Sequence, residues 1–223
     1  MKAADSRMTE KPEALTPSGL PQTPALSTHP RHHAVARAIS LVVHPVAFPI
    51  LTLAVLLYSA TASLTATGRW LVFALALTSL PVTALVVFQV ASGRWTDLDV
   101  SVRRQRYLLY PFGLVCLTSL ALVYIALKAP LVAIAATVSS VVANVVDAVI
   151  NFRYKVSAHA TSAAACAALL VHTLPPIGFV ATGAALLVGW SRVALGRHTA
   201  GQVALGMAVG VVCVIATFAV LAI

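Results

Sequence analysis

Residues 177–223 read IGFVATGAALLVGW, then SRVALGRH, then TAGQVALGMAVGVVCVIATFAVLAI. Two membrane-length apolar runs flank a seam that holds Arg192, Arg197 and His198. Cationic groups at that depth are costly unless they meet something anionic. A histidine beside a fixed arginine is also a pairing that phosphoryl transfer uses. One side chain attacks phosphorus while the other holds the charge that develops on the oxygens.

The rest of the chain fits the same setting. Of 223 residues, 60% are hydrophobic and only 9% are charged, and the mean hydropathy is +0.93. A soluble domain carries roughly 25% charged residues, so the composition specifies an integral membrane protein. The net charge of +9 fits juxtamembrane cations meeting anionic headgroups. No basic–aromatic interleaving occurs, which argues against a nucleic-acid partner. Cys116, Cys166 and Cys213 lie inside apolar runs without metal-ligand spacing and read as small buried hydrophobes. Residues 1–35 are rich in Pro, Ser, Thr and charge and lack a signal-peptide core. They are expected to be a disordered tail, with His29, His32 and His33 solvated rather than metal-bound. Residues 36–223 then form a single transmembrane domain.

A bilayer core needs about 20 apolar residues per helix. That window predicts an all-α, polytopic transmembrane helix bundle of six or seven spans. The candidate helices are 38–59, 70–91, 107–127, 130–150, 158–174, 177–195 and 199–223. The fifth is short and ends at Pro175-Pro176, a pair that breaks a helix and makes a tight turn. Seven spans put the tail and loops 92–106, 151–157 and 192–198 on one side. Every Lys and Arg except Arg69 and Lys128 falls there. The positive-inside rule makes that side cytoplasmic, and the expected location is the plasma membrane.

The same parity gathers three polar clusters on one membrane face. They are Thr96 to Arg106, Lys155 to His159, and Ser191 to His198. Clusters on opposite faces could not share a site; these can. Asn144, Asp147, Asn151 and Lys155 recur every three or four residues and lead along one helical face to the second cluster. Asp147 in an apolar helix should face the bundle interior and have a partner. The stripe reads either as a polar wall leading to the site or as an interhelical contact that fixes packing. His44 and His172 read as packing histidines rather than ligands.

In order, spacing and sidedness, these clusters resemble the type 2 phosphatidic acid phosphatase superfamily, the membrane lipid-phosphate phosphatases. That family carries three blocks, K-x6-RP, PSGH and SR-x5-H-x3-D. The resemblance covers about residues 95–210. Ser191, Arg192 and His198 match the third block at the right spacing. The second is half matched by VSAH, which keeps Ser157 and His159. The first is poor: Arg106 stands for its Arg, Tyr107 replaces Pro, and Asp99 occupies the Lys position.

The resemblance implies that His198 attacks phosphorus to form a phosphohistidine and that His159 protonates the leaving alcohol. It also implies that Arg192 and Ser157 hold the phosphate oxygens, with Arg106 helping. Lys155, Arg103 and Arg104 stand close enough in sequence to replace the missing Lys, or to meet headgroups. The expected substrate is a lipid phosphate monoester or diphosphate, with neither cofactor nor metal implied. Where the family has its final Asp, this chain has Gln202. At i and i+4 from His198, its amide oxygen can accept the imidazole N–H and fix the tautomer. It cannot stabilise developing positive charge as a carboxylate would, so Asp97 and Asp99 become candidates for a carboxylate reaching in from elsewhere. A relative that binds or moves phospholipids with little or no turnover is the alternative. A transporter fits less well, because the polar residues gather at one face rather than at mid-membrane.

Overall fold

The computed structural model describes residues 30–42 and 46–222. His44 and residues 1–29 of the expected tail, His29 included, lie outside them, as do the side chains of His32 and His33. The described residues form nine α-helices and no strands: α1 (Pro30–Val42), α2 (Ala47–Thr61), α3 (Leu64–Ala74), α4 (Leu80–Ala91), α5 (Arg106–Ala126), α6 (Leu131–Asn151), α7 (Ala158–Thr173), α8 (Pro175–Ala194) and α9 (Ala200–Leu221).

Most boundaries follow the sequence signals, and three expectations change. Over the span expected at 38–59 the described residues form α1 up to Val42 and α2 from Ala47, and residues 43–45 lie outside the described residues. α1 also begins at Pro30, inside the stretch expected to be disordered, with proline at a first helical position where its missing N–H costs nothing. The third helix starts at Leu64 rather than 70, because Ser63 caps it by accepting the Ala66 N–H at 3.2 Å. α3 and α4 run on through a π-helical turn, Leu75–Ser79, as one rod of 28 residues.

Five helical segments are long and apolar enough to cross a membrane: Leu64–Ala91, Arg103–Ala126, Leu131–Asn151, Pro175–Ala194 and Ala200–Leu221. α2 and α7, with 15 and 16 residues, fall short of the others. α7 is the inner helix, packed against α2, α6, α8 and α9. Its Ala160, Ala163, Ala164 and Ala167 are buried, so it meets neighbours with small side chains that let backbones approach. Large apolar residues on the outer helices, among them Val115, Phe179, Val180 and Val220, face outward, as a lipid-facing surface requires.

The closest approach is between α7 and α9. Gly206 and Gly210 lie one turn apart on α9 and face α7. A Cβ on Gly206 would stand 2.7 Å from the Ser157 carbonyl oxygen, and one on Gly210 would collide with the Thr161 carbonyl oxygen. This is a small-xxx-small seam of backbone-to-backbone contact. It fixes how far apart the N-termini of α7 and α9 stand, and those ends carry His159 and His198. At the other end of α7, Pro175 and Pro176 open the first turn of α8 after one linking residue, Leu174. The expected tight turn is therefore present. His172 packs edge-on against Phe218 with ring centroids 4.6 Å apart, and the three cysteines are buried and unpaired.

Gly210→Val should lower thermal stability in detergent by about 1–3 kcal/mol, because the Thr161 carbonyl it would strike is backbone and cannot swing aside. Gly183→Ala on α8, where a Cβ meets nothing within 4 Å, should not. Equal melting temperatures for the two variants would remove the seam from this account.

Candidate functional site

Five segments meet at one end of the bundle. They are the 92–105 loop, the first turn of α5, the loop into α7, the C-terminal turn of α8, and the loop into α9. All three polar clusters read from the sequence are joined there by direct contacts. Arg192 ends α8 with its side chain 1% exposed. Its Nη2 donates to Asp99 Oδ2 at 3.1 Å and its Nη1 to Ser40 Oγ of α1 at 3.1 Å. Its Nε is buried without a hydrogen-bond partner. Asp99 Oδ1 lies 3.6 Å from His159 Nε2, and Oδ2 lies 3.8 Å from Arg197 Nε. Burial opposes ionisation of Asp99. The charges of Arg192, His159 and Arg197, with the Arg192 hydrogen bond, outweigh it and hold the carboxyl below its ordinary value.

The loop carrying Asp99 is held in place from beneath. Buried Arg106 donates from Nε to the Val100 carbonyl at 2.9 Å and from Nη1 to the Val156 carbonyl at 2.7 Å. It thus buckles the Asp99 loop to the segment before Ser157. Val100 adopts a left-handed φ of 48°, an unusual conformation for a β-branched residue that surrounding contacts must impose. Asp97 accepts from Ser101 Oγ at 3.0 Å and from Thr96 Oγ1 at 2.9 Å, so it braces its own loop. Of the two aspartates considered as an incoming carboxylate, Asp99 is the one that reaches in. It reaches His159 and Arg192 rather than His198.

His198 is buried and sits beside Gln202, with Nδ1 and Oε1 3.1 Å apart. The same Oε1 accepts the Thr199 N–H at 3.3 Å, while Thr199 Oγ1 accepts the Gln202 N–H at 3.3 Å. Thr199 and Gln202 are thus the capping box that starts α9. A backbone N–H can only donate, so it fixes which end of the Gln202 amide is oxygen. Nδ1 of a neutral His198 must then carry the proton, leaving the lone pair on Nε2. Burial, reinforced by the positive charges of Arg106, Lys155 and Arg192, pushes the imidazole pKa down to about 3 against the pull of the Gln202 oxygen.

The other expected residues divide. Lys155 Nζ donates to the Arg197 carbonyl at 2.9 Å and joins the second and third clusters. Burial, then the charges of Arg106 and Arg192, lower its pKa. Ser157 is fully buried and caps α7 by accepting the Ala160 N–H at 3.4 Å; its hydroxyl hydrogen remains available. Arg103 reaches the Phe152 carbonyl at 3.3 Å on the rim, and Arg104 is exposed. Ser191 is buried and turns its hydroxyl back to the Val188 carbonyl at 2.7 Å. Asp147 is buried as expected, and its partner is Thr161 Oγ1 of α7 at 3.2 Å. Asn151 Nδ2 reaches the Arg103 carbonyl at 3.4 Å. The stripe on α6 therefore makes interhelical contacts and also ends beneath the site.

Sequence reasoning missed Ser40, read only as part of the apolar run 38–59, and the capping role of Gln202. The Thr199-x-x-Gln202 pattern carried the second in plain view. No protein-family model, curated protein or solved structure matches this chain.

His198 should stay neutral and show no imidazole titration by NMR between about pH 5 and 8, where an ordinary histidine changes charge. A folded pKa held below the unfolded value makes the sign definite. The folded state loses stability as pH falls from 6.5 towards about 3. A His198 signal titrating near 6.5 would contradict the buried, cation-flanked environment.

Proposed function

We propose that this chain is a multi-pass membrane phosphatase, a divergent member of the type 2 phosphatidic acid phosphatase superfamily, that hydrolyses a lipid phosphate monoester or diphosphate through a phosphohistidine. One observation carries the reading. A neutral histidine with its Nε2 lone pair directed by Gln202 shares one end of the bundle with a buried arginine and a second histidine. Nucleophile, charge-holding guanidinium and acid are the three parts that metal-independent phosphoryl transfer to histidine needs.

In the first step His198 Nε2 forms a bond to phosphorus as the ester P–O bond breaks. Arg192 takes the charge on the equatorial oxygens, and its fork suits phosphate geometry. His159 gives its proton to the departing lipid alcohol. In the second step water attacks phosphorus, His159 takes its proton, and the P–N bond breaks to release inorganic phosphate and the free imidazole. Ser157 supplies a hydroxyl donor, while Arg106 acts chiefly by holding the Asp99 loop. Lys155, Arg103 and Arg104 surround the opening with positive charge that attracts an anionic headgroup. The site's place at the ends of the spanning helices suits a lipid whose chain stays in the bilayer. The distribution of Lys and Arg favours the cytoplasmic side.

A second reading has one observation in its favour. Gln202 leaves the developing charge on His198 without a carboxylate, while the Asp99 carboxylate is committed elsewhere. That pattern suits a relative that binds or moves phospholipids with weak turnover.

Purified full-length protein should release phosphate from a panel of prenyl and glycerolipid phosphates with a metal chelator present. His198→Ala should reduce release to background. His159→Ala should slow it by about 10²–10⁴-fold, with the smallest loss on substrates whose leaving group needs no proton. Lipid-phosphate binding that requires Arg192, with no release from any substrate, would select the second reading.

A further inference from the structure

The guanidinium of Arg192 has two edges. Nη1 lies on the edge towards its own side chain and is taken by Ser40. Nε and Nη2 form the side-on edge, which binds two oxygens of one phosphate or carboxylate in parallel. Nη2, common to this edge and to the end-on edge it forms with Nη1, is held by Asp99 Oδ2 at 3.1 Å, while Nε is buried and has no partner. The edge is therefore half used, by a carboxylate that belongs to the chain itself. Leaving a buried donor unpaired carries a real cost, so the resident contact is a poorer match to Arg192 than a bidentate anion.

Asp99 is also placed to leave. It comes from a loop rather than a helix, and its side chain is 30% exposed beside the 1% of Arg192. Arg197, 43% exposed, already stands 3.8 Å from the same oxygen and offers a second cation when Arg192 is taken. Its Nη1 bonds Ser101 of the same loop at 3.3 Å, so the loop keeps an anchor after Asp99 turns away.

We infer that Asp99 is a resident competitor on the side-on edge of Arg192, displaced by a substrate phosphate, and that it thereby sets the anion affinity of the site. The inference rests on reading Arg192 as the phosphate-binding cation, but not on turnover. An anion bound to Nε and Nη2 comes up against the Asp99 carboxylate, whose Oδ2 stands 3.1 Å from Nη2, and the repulsion between two anions at one nitrogen favours the state in which Asp99 has turned away. The apparent affinity is reduced by the fraction of molecules in which Asp99 holds the edge. Asp99 then acts as a specificity-determining residue: weakly competing anions do not open the site, and only those able to span both nitrogens do.

Binding of inorganic phosphate to the full chain in detergent, measured by calorimetry at neutral pH, tests this without requiring catalysis. Asp99→Asn keeps the shape and removes the competing charge; it should tighten phosphate binding by about tenfold or more. Asp97→Asn removes an equal charge from the same loop while keeping an acceptor for Ser101, and should leave the affinity unchanged. Adding Arg192→Gln to Asp99→Asn should abolish the gain. Unchanged or weaker phosphate binding in Asp99→Asn would overturn the inference. So would an equal gain in Asp97→Asn, or a gain that survives loss of Arg192. Tighter phosphate binding in Asp99→Asn with no lipid-phosphate hydrolysis by the unaltered chain would sustain the resident competitor and remove the phosphatase reading.

Discussion

A guanidinium 1% exposed at the end of an apolar helix is the constraint around which this end of the bundle is organised. Desolvating a cation is tolerable only with an anion and hydrogen-bond acceptors close by. Asp99 supplies the anion, and it can do so only if a loop is bent across the helix ends to deliver it. Arg106 holds that loop through the Val100 carbonyl, and Val100 accepts a left-handed backbone in the process. Ser40 closes the other edge of Arg192 and so ties α1 to the same group. The charge of one residue thereby accounts for the position of a loop, a peripheral helix and a strained backbone.

A second constraint sets the distance over which the two histidines operate. Gly206 and Gly210 let α9 lie against the backbone of α7, and the two helix starts are brought side by side. Ser157 caps one and Thr199 the other. His159, two residues past the first cap, and His198, just before the second, inherit their placement from this packing. Gln202 serves both levels at once, since a single amide oxygen completes the cap and orients the imidazole. A carboxylate at that position would do the same and add charge; the amide keeps the geometry and leaves the charge out.

Much of this was legible because membrane chemistry is severe. Long apolar runs, broken by Pro or by polar clusters, mark helices to within a residue or two from α5 onward. The parity of the loops brought three clusters to one end. The partner demanded by Asp147 exists, and His172 packs edge-on against Phe218. The misreadings have physical causes. A span over 38–59 reads as one run when counted by hydropathy, whereas its described residues belong to α1 and α2. Gly68 and Arg69 hide a helix that Ser63 is able to start. An arginine's type also says nothing about which acceptors will claim it, and Arg106, expected from the resemblance to help hold phosphate, donates to the Val100 and Val156 carbonyls.

The sequence by itself determined an all-helical chain with helices apolar and long enough to cross a membrane, and the polar residues that gather at one end. Each follows from rules local in the chain: hydropathy, periodicity and loop parity. Only the tertiary structure decided which charge meets which. Asp99 and Arg192 are 93 positions apart. Their contact depends on how loops cross the ends of packed helices, a matter of distance in space that no local pattern encodes. That contact leaves Arg192 with one paired and one unpaired nitrogen on its open edge.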